Sequence, residues 1–107
     1  MEIEDGGPSH CQITQYEAGQ KYDWHMDLGR GRASRRKISL VVGLNDETDF
    51  EGGGLEFFFG SQTNPIVRSN VGEGILFPSY VMHRAVEVTH GVRWTLVAWF
   101  NGRAPFR

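Results

Sequence analysis

The chain of 107 residues lacks several features that would define its class. It has a single cysteine, Cys11, so no disulfide can form within the chain, which fits a reducing, cytoplasmic compartment. No apolar run approaches the roughly 18 residues of a membrane-spanning helix, and the acidic start, Met1–Asp5, does not resemble a secretory signal. The net charge of −2 gives no reason to expect a nucleic-acid partner. We therefore expect one soluble domain that engages neither membrane nor nucleic acid.

A sustained helical periodicity is also missing, whereas the 14 glycines mark many turns. The candidate strands are short and rich in Val, Ile, Phe, Trp and Thr, the residue types that fit a pleated surface. They are His10–Tyr16, Trp24–Leu28, Lys37–Leu44, Leu55–Phe59, Pro65–Arg68, Gly74–Phe77, His83–Val88 and Val92–Phe100. The residues between them, including His90 and Gly91, are interpreted as turns. About eight such strands predict an all-β sandwich or barrel, and a double-sheet jelly roll uses eight.

Two of the predicted strands, Lys37–Leu44 and Val92–Phe100, are apolar on both alternating sets of side chains. A strand with one wet face alternates apolar and polar residues, so both strands are expected to be covered on both faces. If Arg93 points inward, the outward set of the last strand is Trp94, Leu96 and Phe100. We expect a homodimer partner, or a further segment of the native chain, over this outer face.

His25 and Asp27 are two metal-capable residues separated by one position, and positions i and i+2 of a strand share a face. His83 begins another predicted strand. Two histidines and one carboxylate form the donor set of non-haem Fe(II) oxygenases. By themselves, the three residues also fit a second interpretation, in which a solvent-facing pair and an unrelated histidine share no function.

Arg93 lies among apolar residues, where a guanidinium without a partner is expensive to desolvate. One interpretation is an internal ion pair with Glu73 or Glu87. The other is a bidentate bond to the carboxylate of a ligand, for which the planar guanidinium is well suited.

Three stretches of sequence, together with the order of His25, Asp27, His83 and Arg93, carry a family resemblance. Tyr16, Gly19, Tyr22, His25 and Asp27 follow the pattern Tyr-x-x-Gly-x-x-Tyr-x-x-His-x-Asp. The block Phe50–Leu55 resembles a Gly-Gly-x-Leu turn, Gly72–Ser79 and His83–Val88 resemble one nearly continuous C-terminal block, and Gly91–Arg93 completes it. Over roughly residues 12–100, the chain resembles the Fe(II)/2-oxoglutarate-dependent dioxygenases of the prolyl 4-hydroxylase-like branch.

The resemblance implies a double-stranded β-helix (jelly roll) of about eight strands, in a single domain over residues 10–107 after a flexible segment 1–9. Members usually carry helices before the first strand, and Met1–Ser9 cannot form them. We therefore expect little or no N-terminal helical cover.

The resemblance also implies roles for individual residues. Fe(II) would be bound by His25, Asp27 and His83, and Arg93 would pair with the distal carboxylate of 2-oxoglutarate. Further contacts to this co-substrate would come from Tyr16 through its hydroxyl, from Leu55 as part of the pocket wall, and from Ser39 as a small hydroxyl facing the pocket.

The implied activity is hydroxylation of an aliphatic C–H by molecular oxygen and 2-oxoglutarate, with release of succinate and carbon dioxide. A prolyl residue in a peptide or protein is the substrate that the branch implies, and a small molecule is the other option. Two alternatives stay open: a non-catalytic jelly-roll module that binds or senses metal, and a cupin-type metalloenzyme that does not use 2-oxoglutarate. The basic segment Arg30–Lys37 is interpreted as a solvated loop, a substrate lid or a nucleic-acid contact.

Overall fold

The computed structural model describes residues 10–29, 35–58, 60 and 65–102. The predictions for residues 1–9, for Phe59 and for most of the basic segment lie outside these ranges. The described chain forms nine strands and one short 3-10 helix, Glu47–Asp49, and contains no α-helix within those ranges. The strands are His10–Glu17 (β1), Tyr22–His25 (β2), Arg36–Gly43 (β3), Phe50–Gly52 (β4), Leu55–Phe57 (β5), Ile66–Val67 (β6), Gly74–Pro78 (β7), His83–Ala85 (β8) and Val88–Asn101 (β9).

These strands form two antiparallel sheets, which confirms the predicted all-β fold. The larger sheet has the order β1-β9-β3-β7, with β4 also paired to β9, and the smaller has the order β2-β8-β5-β6. Side chains from both sheets meet in one core, which contains Val41 and Phe77 from the larger sheet and Leu55 and Phe57 from the smaller. The rings of Phe57 and Phe77 meet edge to face with centroids 5.1 Å apart. This is the jelly-roll arrangement of two sheets packed face to face.

Strand β3 alternates strictly between buried and half-buried residues, as a pleated strand between a core and an outer surface should. Ser39 and Val41 belong to the inward set, and Leu40 and Val42 belong to the outward set. The strand is held on both sides, by β9 and by β7. It therefore brings its inward side chains to a fixed place between the sheets.

The outer face of the larger sheet is apolar, as the sequence predicts. Ile13, Leu76 and Trp94 are 65%, 67% and 39% exposed on it. The part of the chain described here supplies no helix to cover them. Nor does that part contain a helix long and apolar enough to cross a bilayer.

The sequence-based boundaries are wrong in two places. Strand β9 begins at Val88 and runs through the predicted turn at His90 and Gly91. Gly91 adopts a φ of 77°, and a Cβ there would stand 2.1 Å from the carbonyl oxygen of Asp49. Glycine thus lets one strand continue past a close contact with the chain entering β4, a short strand that was not predicted.

Strand β2 is also displaced from its prediction, because it begins at Tyr22 and ends at His25. Asp27 therefore lies beyond the strand, and the argument that His25 and Asp27 share a pleated face is wrong.

Candidate metal centre and cavity

Three metal-capable side chains, His25, Asp27 and His83, lie together between the two sheets. His25 ends β2 and stands opposite His83, the first residue of β8. One donor atom from each residue lies within 4.8 Å of the other two. Asp27 Oδ1 is 3.4 Å from His25 Nε2 and 3.2 Å from His83 Nε2. Among the residues described, no other group of three such side chains converges.

Backbone hydrogen bonds, rather than strand pleating, bring Asp27 to this position. The amide of Asp27 donates to the carbonyl oxygen of Ser79 at 3.0 Å, and the amide of Leu28 donates to the same oxygen at 3.2 Å. Ser79 directly follows β7, so the turn after β2 is attached to the end of a strand in the other sheet. The carboxylate is thereby directed back toward the two histidines.

Each imidazole is oriented by a backbone carbonyl two residues before it. His25 Nδ1 lies 2.7 Å from the oxygen of Asp23, and His83 Nδ1 lies 2.9 Å from the oxygen of Val81. A carbonyl can only accept, so each Nδ1 carries the proton in the neutral ring and each Nε2 presents a lone pair. This is the arrangement in which histidine binds a metal. The two side chains differ in access, at 28% exposed for His25 and 4% for His83.

The two oxygens of Asp27 have different surroundings. Oδ1 faces the histidines, whereas Oδ2 accepts hydrogen bonds from Ser39 Oγ and, at 3.1 Å, from the indole Nε1 of Trp99. Burial alone would raise the pKa of Asp27, but its interactions with His25, His83 and Ser39 outweigh burial and hold this pKa far below its ordinary value. The carboxylate is therefore ionised throughout the physiological pH range.

The pKa of His25 is raised in this ligand-free arrangement. Burial of the ring lowers the pKa, but the bonds to the Asp27 carboxylate and the Asp23 carbonyl raise it further than burial lowers it. A cation bound between these residues would take the place of that proton. Two imidazole nitrogens and one carboxylate oxygen fit Fe(II), which leaves three of six octahedral positions for other ligands.

The triad borders a cavity of about 240 Å³ that is lined from both sheets. Its wall combines polar groups from β1 and β9 with apolar groups from β3 and β5. The lining residues are Gln12, Thr14, Tyr16, Tyr22, His25, Met26, Asp27, Arg36, Val41, Leu55, His83, Ala85, Arg93, Thr95, Val97 and Trp99.

Arg93 is a buried cation on this wall, 5% exposed, and no carboxylate in the described part of the chain pairs with it. The internal pairs considered from the sequence are absent, because Glu73 and Glu87 are both exposed and Glu73 accepts from the amide of Asn70. Burial lowers the pKa of Arg93 from its ordinary value. Among the described residues the cavity thus holds a guanidinium without a carboxylate partner, which suits it to pair with the carboxylate of a ligand.

Tyr16 stands directly opposite Arg93 in the pairing of β1 with β9, and the guanidinium carbon lies 5.3 Å from the ring centre. Burial raises the pKa of Tyr16, although Arg93 opposes this, so the hydroxyl keeps its proton. Gly53, at a φ of 68°, packs against the stem of Arg93, where a Cβ would stand 3.2 Å from Arg93 Cδ. Leu55 is buried on the cavity wall and also belongs to the core.

Ser39 is placed differently from its sequence-based role. It is fully buried, its hydroxyl is bonded to Asp27 Oδ2 and lies 3.0 Å from Ser79 Oγ, and it does not line the cavity. The structure therefore directs Ser39 at a metal-capable residue and away from the co-substrate space.

Sequence reasoning missed three residues of the site. Trp99 lies six positions after Arg93, and an even spacing on one strand predicts the shared face, but not the indole bond to Asp27. Arg36 stacks on Trp99 with its guanidinium carbon 4.0 Å from the ring and donates from Nη1 to the Asp27 carbonyl at 3.2 Å. Ser79 ends the resembling block Gly72–Ser79, but nothing in the sequence predicted its contacts with Ser39 and with the Asp27 amide.

Comparison with known proteins agrees with this geometry. The family profile described as "2OG-Fe(II) oxygenase superfamily" matches residues 11–101. A PKHD-type hydroxylase of Synechococcus sp. strain CC9605 is 33% identical over 89 residues, which cover 83% of this chain and 40% of the relative. A PKHD-type hydroxylase of Synechococcus sp. strain CC9311 is 37% identical over 88 residues, which cover 82% of this chain and 39% of the relative. The chain thus spans about two fifths of the length of these relatives.

A solved structure with the same fold is a prolyl-4-hydroxylase from Pseudomonas putida. The two structures superpose with a TM-score of 0.73 at 27% sequence identity, and the match covers 91% of this chain and 54% of the Pseudomonas putida chain. This agreement confirms the double-stranded β-helix that the sequence resemblance implied.

Proposed function

This chain belongs to the 2OG-Fe(II) oxygenase superfamily, and we propose that it is the metal- and co-substrate-binding part of a dioxygenase that hydroxylates an aliphatic C–H. One observation carries the proposal: two imidazole nitrogens and one carboxylate oxygen converge on the same cavity as a buried guanidinium that pairs with no carboxylate of the described residues. The two imidazoles and the carboxylate fit Fe(II). The guanidinium fits a carboxylate group of a dicarboxylate ligand of that ion.

His25, Asp27 and His83 hold the iron. Their neutral Nε2 atoms and single facing oxygen give the ion a net charge of +1, which favours a bidentate anionic ligand. With only three protein ligands, the ion would have room for a chelating keto acid and for oxygen. When bound, iron and 2-oxoglutarate supply the oxidising chemistry, in which one oxygen atom enters succinate and the other enters the substrate.

Arg93 and Tyr16 hold the far end of 2-oxoglutarate. The guanidinium forms a bidentate pair with the distal carboxylate, and the protonated Tyr16 hydroxyl donates to it from the opposite strand. Leu55 supplies apolar wall beside the carbon chain of the co-substrate. Removing water around these groups strengthens both interactions, because the local dielectric falls.

The proposed substrate is a prolyl residue in a peptide or protein. The similarity to PKHD-type hydroxylases and to the Pseudomonas putida prolyl-4-hydroxylase supports this choice. The more exposed His25, together with half-exposed Met26 and Tyr22, forms the open side of the triad, where such a side chain would enter.

The test combines metal, co-substrate and oxygen in order. Under anaerobic conditions, Fe(II) with 2-oxoglutarate should give a weak visible charge-transfer band, and admitting oxygen should then release succinate. Asp27→Ala should abolish both signals. Glu51→Ala is the matched control, because it removes an exposed carboxylate that faces His90 at 3.1 Å, away from the cavity, and should preserve both.

Each outcome separates the candidate functions. A band without succinate would indicate a module that binds metal and keto acid but turns nothing over. Metal binding without any response to 2-oxoglutarate would favour a cupin-type enzyme. A band that persists in Asp27→Ala would contradict the ligand assignment.

Two further proposals concern the surroundings of the protein. A second copy packed on the outer face of the larger sheet would cover Ile13, Leu76 and Trp94, which are apolar and exposed. The free and exposed Cys11 supports a reducing, cytoplasmic compartment.

A further inference from the structure

We infer that Ser39, Ser79 and Trp99 are positioning residues that make Asp27 a ligand through one oxygen only, an inference that rests on the proposed iron site. These three residues are called the Asp27 clamp below. Ser39 and Trp99 donate to the Asp27 carboxylate and Ser79 contacts the Ser39 hydroxyl, so each of the three acts through Asp27.

The first step of the argument is that Asp27 Oδ2 is fully engaged. It accepts from the Ser39 hydroxyl and from the Trp99 indole, and both donors are buried. For Oδ2 to turn toward a metal, both bonds would have to break and leave two buried donors unsatisfied, which is costly in a protein interior. Oδ1, by contrast, faces the two histidines.

The second step is the direction of the hydrogen bonds. Ser39 has one hydroxyl hydrogen and gives it to Asp27 Oδ2, so Ser79 must donate in the 3.0 Å contact between Ser39 Oγ and Ser79 Oγ. The Ser79 carbonyl in turn accepts from the amide of Asp27. A closed ring therefore runs from the Asp27 amide through Ser79 and Ser39 back to the Asp27 carboxylate.

The third step is how the ring is anchored. The amide of Ser79 donates to the carbonyl of Lys37 at 2.9 Å, which holds Ser79 beside β3, the strand that carries Ser39. Trp99 lies opposite Ser39 in the pairing of β3 with β9. Asp27 belongs to no strand, so these contacts to the larger sheet supply the fixed position that a strand would otherwise give it.

The Asp27 clamp determines how many coordination positions of the metal stay open. Two histidines and one carboxylate oxygen leave three octahedral positions, which the chelating co-substrate and oxygen fill completely. An Asp27 that bound through both oxygens would occupy the position that oxygen needs. The Asp27 clamp thus preserves the open position, in addition to orienting a ligand.

Two substitutions test this inference on the ligand-free and metal-loaded protein. Ser39→Ala removes one donor, and Trp99→Phe removes the other while keeping a ring in place. Each should weaken Co(II) binding by about 10- to 100-fold, the usual effect of losing a partner of a metal ligand. Each should also change the shape and intensity of the Co(II) visible spectrum, which reports coordination number.

Nitric oxide, which occupies an open position of Fe(II), provides a second readout. With 2-oxoglutarate bound, the wild-type protein should give the electron paramagnetic resonance signal of an iron-nitrosyl complex, and both variants should lose or shift it. Ser39→Thr keeps the hydroxyl and should restore the wild-type spectra and affinity. Trp94→Phe is the matched control, because it alters a tryptophan on the opposite face of the same strand.

The outcomes are distinguishable. A fall in thermal stability with unchanged Co(II) affinity, spectrum and nitrosyl signal in both variants would overturn the inference and leave these residues a structural role. If Ser39→Ala or Trp99→Phe does not fold, Ser39→Thr is compared with wild type instead. Altered spectra in Ser39→Thr, which keeps the hydroxyl, would also contradict the inference. Wild-type protein that binds neither Co(II) nor Fe(II) would instead refute the proposed function.

Discussion

Replacement of Arg93 by methionine is expected to affect the ligand-free fold and co-substrate binding in opposite directions. Methionine keeps the length of the aliphatic stem and removes a charge that is buried without a carboxylate partner in the described chain. A buried charge carries an effective penalty of several kcal/mol, which the cavity beside Arg93 reduces. We expect the free energy of unfolding of the ligand-free protein to rise by about 1–2 kcal/mol.

The effect on 2-oxoglutarate should be larger and of opposite sign. Loss of a buried, charge-assisted pair weakens binding by about 2–5 kcal/mol, which is roughly 30-fold to a few thousand-fold in Kd. For a domain of this size, each kcal/mol corresponds to about 4–8 °C in Tm. Arg93→Met should therefore melt several degrees higher than wild type without ligand and gain almost nothing from 2-oxoglutarate.

Thermal melting with Mn(II) in place of Fe(II), titrated with 2-oxoglutarate, measures both effects without turnover. Arg84→Met is the matched control. It removes an arginine that pairs with Glu56 at 2.7 Å and lies 4.8 Å from the ring centre of Trp24. It should slightly lower the ligand-free Tm and keep the full response to 2-oxoglutarate. A lower ligand-free Tm in Arg93→Met, or an intact response to the keto acid, would refute the reasoning.

Three further predictions address the cavity wall, the pH dependence and the outer face. Gly53→Ala should lower the Tm and weaken 2-oxoglutarate binding, measured by calorimetry, since a Cβ at a φ of 68° would stand 3.2 Å from Arg93 Cδ. Gly19→Ala is the control, because its φ is 89° but no atom lies within 4 Å of the added Cβ. It should lower the Tm through backbone strain alone. Because the pKa of His25 is raised on folding, His25 should stabilise the ligand-free protein at pH values below its ordinary pKa of 6.5. This stabilisation should be lost as the pH rises through the pKa of the folded state. The Tm values of wild type and His25→Gln, measured across this pH range, should therefore converge at high pH. Leu76→Glu should convert a dimer joined through the outer face into monomers by sedimentation velocity, and a wild-type protein that is already monomeric would contradict that interface.

Much of the candidate site was predictable because its chemistry depends on residue type. Histidine, aspartate and a buried arginine are rarely placed among apolar strands without a role, and the ordered blocks around His25, His83 and Arg93 made the family visible. The alternation of the last strand separated the side chains on the Arg93 face from Trp94, Leu96 and Phe100, but it did not say which of the two faces points inward. These are properties that a single segment of sequence carries.

Other parts of the structure depend on contacts between distant segments, which periodicity does not report. The strand β4 has three residues, and its pairing with β9 depends on the positive φ of Gly91. The bonds of Asp27 to Ser79 and Trp99 join three separate stretches of chain. Their geometry could be predicted only after the sheet register was known.

Strand β9 carries both the guanidinium of Arg93 and the indole of Trp99, six residues apart on one continuous strand. One inserted or deleted residue between them would turn one of the two side chains to the outer face. The interval 93–99 is therefore a fixed length in this molecule, while substitutions on its outward positions leave the spacing intact. Among longer and shorter homologues, changes of length should fall outside this interval.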